Sequence, residues 1–519
     1  MPQIGTTERA VRLGEVPVLS ANGRYLVFRY FFGDLVSGTT PNNDIYLIDL
    51  VTKQIQLVSV SPTGNQGNNY SSTYDSLSIS ADGRYVAFAS DATNLVSNDL
   101  NGETDVFVRD TLTGTIILAS VSSTGVQLGA NTLDFNLSPA ISANGQFVAF
   151  QSQANNLVPN DTNGDDQDIF MRDLSAGTTL RVSVNSNGEQ TRPWNIIASA
   201  DSRNPSISGD GRFIAFESNA INLDPRDTGV NNFDIFVRDR QTGQTRQVSV
   251  NSQGQVATGA SLQENSIGYP TTTNGSSNPV ISANGRYVVF QSGATNLVPN
   301  DTNDRVDIFR HDLETNETIL ISVGIDDSPA NGGSSIGVSR NGAISSDGRY
   351  VVFQSLASNL VPNDNNNAAD VFVRDVIAGT TERISVNSSG QEAVGGRAYT
   401  NSGDATISDD GRRVAFLSRS SNLVNDPFAP FSYSIYLRDR QTTDLTPPPV
   451  LPPPVFPQQQ VTPSPSSSPT YNSGWVSNLL TAPSTANPFV AVNSIPTVTS
   501  STGLSLPSAS SAQAGAWWF

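Results

Sequence analysis

Residues 80–90 read SADGRYVAFAS. An Asp-Gly pair separates a short apolar stretch, "LSIS" at 77–80, from the run "YVAF" at 85–88. Asn-Gly and Asp-Gly are the strongest two-residue hairpin signal, because both turn positions call for positive φ. The phrase Ser-x-[Asp/Asn]-Gly-[Arg/Gln] occurs seven times in the chain. Its glycines stand at 23, 83, 145, 211, 285, 348 and 411, between 60 and 74 residues apart.

Outward from each glycine the text repeats. A run such as "RYVAF" is followed by a polar loop containing "NLV", then by "DVFVRD", a turn, and a segment such as "TERISVN" at 381–387. β-Branched and aromatic residues mark strands and the polar punctuation marks turns. Four strands per unit follow: a before the glycine, b after it, c as "DVFVRD" and d as "ERISV". Seven such units predict an all-β chain, a seven-bladed β-propeller, with a superhelical solenoid as the rival.

The ends decide between the two. The last unit has strands a, b and c, the last being "SIYLRDRQ" at 434–441, and then reads "TTDLTPPPVLPPP". Proline donates nothing to a sheet ladder, so no ordinary strand d follows. The first unit is preceded by "GTTERAVRL" at 5–13, which resembles the strand-d text "GTTERISVN" at 379–387. Residues 6–13 are therefore expected to complete blade seven and close the ring, removing two sheet edges. The expected organisation is a propeller over 1–446 and a tail over 447–519.

Composition narrows the chemistry. The chain has 519 residues, no Cys and one His, His311. Thiolate chemistry, disulfides and zinc sites built on Cys or several His are excluded. The net charge of −18 disfavours a nucleic-acid partner. The N-terminal "MPQIGTTERAVRLG" lacks the apolar run of a secretory signal, and no stretch is long and apolar enough to span a membrane as a helix.

The phrases "SADGRYVAFAS", "DVFVRD" and "GTTERISVNSSG" resemble the bacterial TolB-type, WD-repeat-like propeller repeat, over residues 6–446. The resemblance implies a propeller that binds proteins or other ligands, in the periplasm or at the cell surface. TolB-type proteins have six blades, an extra N-terminal domain and envelope partners. This sequence shows seven repeats and no such domain, so those partners are not carried over.

Alternation places the a–b and c–d turns on one face and the b–c and d–a loops on the other. The first set is short; the d–a loops are the longest, as at 251–279 and 324–343. Binding residues concentrate on loops carried by a rigid scaffold, so the b–c/d–a face is the expected binding face.

The b–c loops are acidic. "SNDLNGETD" at 97–105 resembles the calcium loop D-x-[DN]-x-[DN]-G-x-x-D of integrin-like propellers at Asp99, Asn101, Gly102 and Asp105, with Ser97 in place of the first Asp. Asp301, Asn303 and Asp307 keep the spacing, as do Asp364, Asn366 and Asp370. Asp161 and Asn163 match, while Asp168 falls one residue late. Hard cations want several oxygen ligands from one short turn, and these residues are the candidate Ca²⁺ ligands. Asx-rich loops also form side-chain-to-backbone turns without any metal.

Catalysis finds less support. Propellers host glycosidases that use two carboxylates, but acids here follow the repeat. The departures are Glu217, Glu264 and Asp326–Asp327, and they form no recognisable constellation. The Arg-Asp pair closing strand c recurs and reads as blade architecture, with His311 a substitution at its Arg position. A non-catalytic scaffold for protein partners is expected, with a glycan-binding or glycan-hydrolysing propeller as the alternative.

Residues 447–519 contain no Asp, Glu, Lys, Arg or His and open with "PPPVLPPPVFP". A stiff polyproline spacer followed by a Ser/Thr-rich low-complexity segment is expected. Trp475, Trp517, Trp518 and Phe519 are candidate partner-binding residues, as aromatics on an uncharged segment.

Overall fold

Each Ser-x-[Asp/Asn]-Gly phrase folds into one turn, locked by its own side chains. In the computed structural model the Ser80 hydroxyl donates to Asp82 Oδ1 at 2.7 Å and accepts the Tyr85 N–H, while Asp82 Oδ1 also accepts the Arg84 N–H. The Gly83 N–H donates to the Ser80 carbonyl. Of the Asp-Gly pair only Gly83 has positive φ, at 81°. This corrects the expectation of two left-handed positions. The turn is a right-handed one followed by a left-handed glycine, as in three-residue hairpins. Glycine is required twice over, because a Cβ on Gly83 would lie 2.1 Å from the Tyr25 ring of the preceding blade.

The structure describes residues 6–12, 14–31, 35–71, 77–128, 137–193, 195, 198–227, 232–258, 275–336, 342–394, 402–424 and 433–440. All belong to the first of two units of the chain, Met1–Gln458. They form seven antiparallel four-stranded sheets. Blade two is typical, with strands a to d at Leu77–Ile79, Tyr85–Ser90, Asp105–Asp110 and Ile116–Leu118. Blade seven joins Ser402–Ile407, Arg413–Ser418 and Ser434–Asp439 to Thr6–Arg12. The N-terminal strand pairs antiparallel with Ser434–Asp439, from Thr6 opposite Asp439 to Arg12 opposite Ser434. The ring closes as the sequence predicts, and a solenoid is excluded.

Period-two alternation explains the core. In every blade an aromatic of strand b stacks on one of strand c. Phe88 and Phe107 lie 5.9 Å apart, and Phe353 and Phe372 5.8 Å apart. The apolar clusters run between neighbouring blades, as where Val86 and Phe107 pack with Val27 and Leu47.

Strand d ends earlier than the text suggests. In blade six it stops at Arg383, because the Ser385 side chain takes over: its hydroxyl accepts the Val371 N–H and donates to Asp370. The chain then folds into a small hairpin, Val386 bridging Glu392, before the next blade.

Candidate functional site

The repeated polar residues are committed to the blades. The Arg opening strand b pairs with the Asp closing strand c, as Arg84 with Asp110 at 2.7 Å and Arg286 with Asp312 at 2.7 Å. In blades two and three the Arg of the Arg-Asp pair reaches backwards instead: Arg109 donates to the Val60 carbonyl and Arg172 to the Ser122 carbonyl, each on the preceding blade's hairpin. His311 stands in this row. Its Nδ1 lies 2.9 Å from the Thr318 hydroxyl, which donates to the Val250 carbonyl. Burial pushes its pKa down to about 4, so it is a neutral inter-blade contact at pH 7.

Glu217 also proves to be repeat architecture. Gln151 and Gln354, at the same place in their blades, accept the N–H of a left-handed residue in the next blade's strand a, Asn204 and Asp404 respectively. Glu217 accepts that of Asn278, and also bonds Arg203 and Asn204. Asp326 sits on an exposed turn, its carboxylate accepting from Ser328. Glu264 lies outside the described residues.

The acid that heads strand c serves one purpose in six blades. One oxygen accepts a hydroxyl from the serine after strand d: Ser59 to Asp44 at 2.6 Å, Ser120 to Asp105 at 2.5 Å, Ser183 to Asp168 at 2.5 Å, and likewise for Asp234, Asp307 and Asp370. Hydrogen bonding of a buried carboxylate offsets only part of its desolvation. Burial therefore pushes Asp105 up to about 7, against the pull of Ser120 and with the charge of Asp99 adding to it. Asp307 is likewise pushed up to about 7, and Asp168 and Asp370 to about 6.

The second oxygen is treated differently from blade to blade. In blade one the Gln66 amide donates to Asp44 at 2.6 Å. In blade three Asn163 donates to Asp168, and Arg181 of strand d reaches both Asp161, at 3.3 Å, and Asp168, at 3.2 Å. In blade six Asn366 donates to Asp370, and Arg383 reaches Asp364 at 3.1 Å, Asp370 at 3.7 Å and Glu392 at 3.0 Å. In blade five Asn303 donates to Asp307 at 2.6 Å, but neither oxygen of Asp301 accepts a well-formed hydrogen bond. In blade two Gln127 donates to Asp99 Oδ1 at 3.3 Å, and Asp99 Oδ2, Asp105 Oδ2 and Asn101 Nδ2 are all buried without a well-formed hydrogen bond, the Asn101 amide only loosely approaching Asp105. Each predicted trio is thus brought together, with two carboxylates and one amide. Among the described residues no group of three Asp, Glu or His side chains is placed to hold a metal.

Arg181 and Arg383 did not figure among the sequence candidates. The signal was present: the residue two before "SVN" or its equivalent is Leu118, Arg181, Leu320 or Arg383, a variation inside an otherwise fixed phrase. Asp409 is a second case. The residue after the first Ser of the turn phrase is small in six blades and Asp409 in the seventh. All but Ser346 of these residues line a cavity of about 110 Å³ on the ring axis, walled by residues of all seven blades. Asp409 accepts the Ser346 N–H at 3.1 Å, and burial pushes it up to about 6. The d–a stretches 129–136, 259–274 and 395–401 lie outside the described residues, as do Trp475, Trp517, Trp518 and Phe519 of the tail.

The chain is a seven-bladed β-propeller, and TolB structures are among its structural neighbours. TolB of Acinetobacter baumannii matches at 14% identity, over 65% of this chain and 58% of that one, with a TM-score of 0.33. An oligogalacturonate lyase of Vibrio parahaemolyticus matches at 12% identity over 85% and 92%, TM-score 0.44. The propeller domain of the Trilobed protease of Pyrococcus furiosus matches at 11% over 86% and 100%, TM-score 0.44. Such likeness speaks for the fold alone, and the blade count rests on the strand ladders themselves. No protein-family model matches the sequence, and no curated protein does. Among the described residues no helix is long and apolar enough to cross a membrane.

Proposed function

We propose that the protein is a non-catalytic binding scaffold: a closed ring that presents its b–c and d–a loops, together with the tail aromatics Trp475, Trp517, Trp518 and Phe519, to a protein partner. One observation carries this reading. The recurring Arg, Asp and Ser side chains, and with them Glu217 and His311, are held in contacts that repeat around the ring or join neighbouring blades. The variation between repeats is concentrated in the long loops of one face and in the tail. A rigid ring with variable loops is suited to recognition, since loops on a scaffold need little ordering when they bind.

The test uses three forms of the chain: intact, ended after residue 446, and with 259–274 replaced by a short Gly-Ser connector. Proximity labelling in the source cells should return the same partner set for the intact ring and lose it when the loop or the tail is removed. Turnover of an oligosaccharide panel, abolished by changing a single acid, would overturn the reading in favour of a glycan-active propeller.

A further inference from the structure

Four b–c loops carry the same carboxylate pair, but strand d sets different residues behind it. The residue opposite the strand-c phenylalanine is Arg181 in blade three and Arg383 in blade six, and Leu118 in blade two and Leu320 in blade five. Where it is arginine, the guanidinium stands between the two carboxylates. It also reaches a main-chain carbonyl, of Asn160 at 3.4 Å or Asn363 at 3.2 Å, and both asparagines are left-handed, at φ 61° and 59°. Where it is leucine, no ion pair to either carboxylate is formed among the described residues, and Asp99 Oδ2, Asp105 Oδ2 and both oxygens of Asp301 are buried without a well-formed hydrogen bond. Asp99, Asp105 and Asp301 are only 6%, 0% and 7% exposed. Carboxylates this deeply buried call for a counter-charge.

We propose that a calcium-class divalent cation binds between Asp99, Asn101 and Asp105 in blade two and between Asp301, Asn303 and Asp307 in blade five, and that Arg181 and Arg383 are its built-in replacements in blades three and six. The donors are all oxygens on one short loop, which suits a hard cation of flexible coordination better than Mg²⁺ with its strict octahedron. In blade two the Asn101 amide turned over would aim its oxygen at the carboxylates, giving up the Glu103 N–H that this oxygen accepts at 3.2 Å and the loose approach of its nitrogen to Asp105. In blade five Asn303 must first release Asp307 and the Ala330 carbonyl, so blade two binds more tightly. This inference stands apart from the scaffold reading, because it concerns the ring's own charges.

The experiment is flow dialysis of Ca²⁺ against the full chain, alongside thermal unfolding in Ca²⁺ and in chelator. Two sites per chain are expected, with dissociation constants of about 0.1–1 mM, and a melting temperature raised by several degrees in Ca²⁺. Asp99→Asn should remove one site. Leu118→Arg should remove the same site while keeping both carboxylates, and should raise the melting temperature in chelator; it decides the matter if Asp99→Asn folds poorly. Arg181→Leu should add a third, chelator-sensitive site. The proposal is overturned by an absence of saturable binding, by binding that survives Leu118→Arg combined with Leu320→Arg, or by four sites that depend on Asp161 and Asp364.

Discussion

Blades two and three differ by one side chain where it matters most. Both carry an acidic b–c loop, a serine bonded to the heading Asp, and a stacked Phe pair. Blade three places Arg181 between its carboxylates; blade two places Leu118 at the same register and leaves three buried polar atoms without a well-formed hydrogen bond. Blades six and five repeat the contrast with Arg383 and Leu320. An acidic loop is therefore not one kind of object. Its electrostatics are set by a residue on the adjoining strand, and the same carboxylates are either half of an internal ion pair or an open demand for a cation.

The largest effect is expected from removing what all four loops share. Deletion of residues 1–12 leaves Ser434–Asp439 without its outer neighbour and opens the ring at an unpaired edge. A large fall in melting temperature, with aggregation, should follow, erasing the contrast between blades. An unchanged melt would show that closure is not what holds them.

Next comes Arg181→Leu measured in chelator. It turns blade three into a copy of blade two, leaving Asp161 and Asp168 buried without their cation. Breaking a buried pair in this way costs about 3–5 kcal/mol, read as a drop in denaturant midpoint at unchanged slope. A loss below about 1 kcal/mol would mean that the guanidinium is not the counter-charge of this loop.

Smaller and opposite effects should come from one substitution made in both blades. In chelator, Asp168→Asn weakens the hold on Arg181 and should cost about 1–3 kcal/mol. Asp105→Asn removes an uncompensated charge and should be neutral or slightly stabilising. Equal losses at the two positions would break the comparison.

The smallest effect is the pH dependence of the remainder of the ring. Burial holds Asp234 up at about 7, against the pull of Ser249, and Asp409 up at about 6. Both lie above the unfolded value, so the folded chain keeps protons that the unfolded chain releases, and stability falls as pH rises from about 4 to about 7. Asp239, bonded to Arg212, and Asp312, whose bond to Arg286 outweighs its burial together with the amides around it, are held down at about 2. Their stabilisation is full above about 4 and fades as pH falls towards 2. Melting scans in chelator should therefore peak near pH 4, and Asp234→Asn should flatten the upper limb.

Blade number, ring closure and the division into two faces were legible in the chain itself. The turn phrase, the Phe positions of strands b and c and the displaced strand-d text at 5–13 are local patterns, and local patterns survive without knowledge of neighbours. The turn type was less legible, since an Asn-Gly or Asp-Gly pair allows two hairpin geometries, and the serine of the same phrase selects one by bonding Asp82 and the Tyr85 N–H. The end of strand d was hidden for a related reason. "ISV" is good strand text, yet Ser385 uses its hydroxyl on Asp370 and the Val371 N–H where a ladder would use backbone.

By itself, then, the sequence determined a closed seven-bladed ring and the acid-rich trios of its b–c loops, because repetition and alternation encode them within each unit. Only the tertiary structure decided which trios are already neutralised. Arg181 meets an Asp 20 residues earlier across a sheet edge, and Arg172 bonds a carbonyl 50 residues away on another blade. Charges brought together over such separations compete for partners that no local reading brings into view.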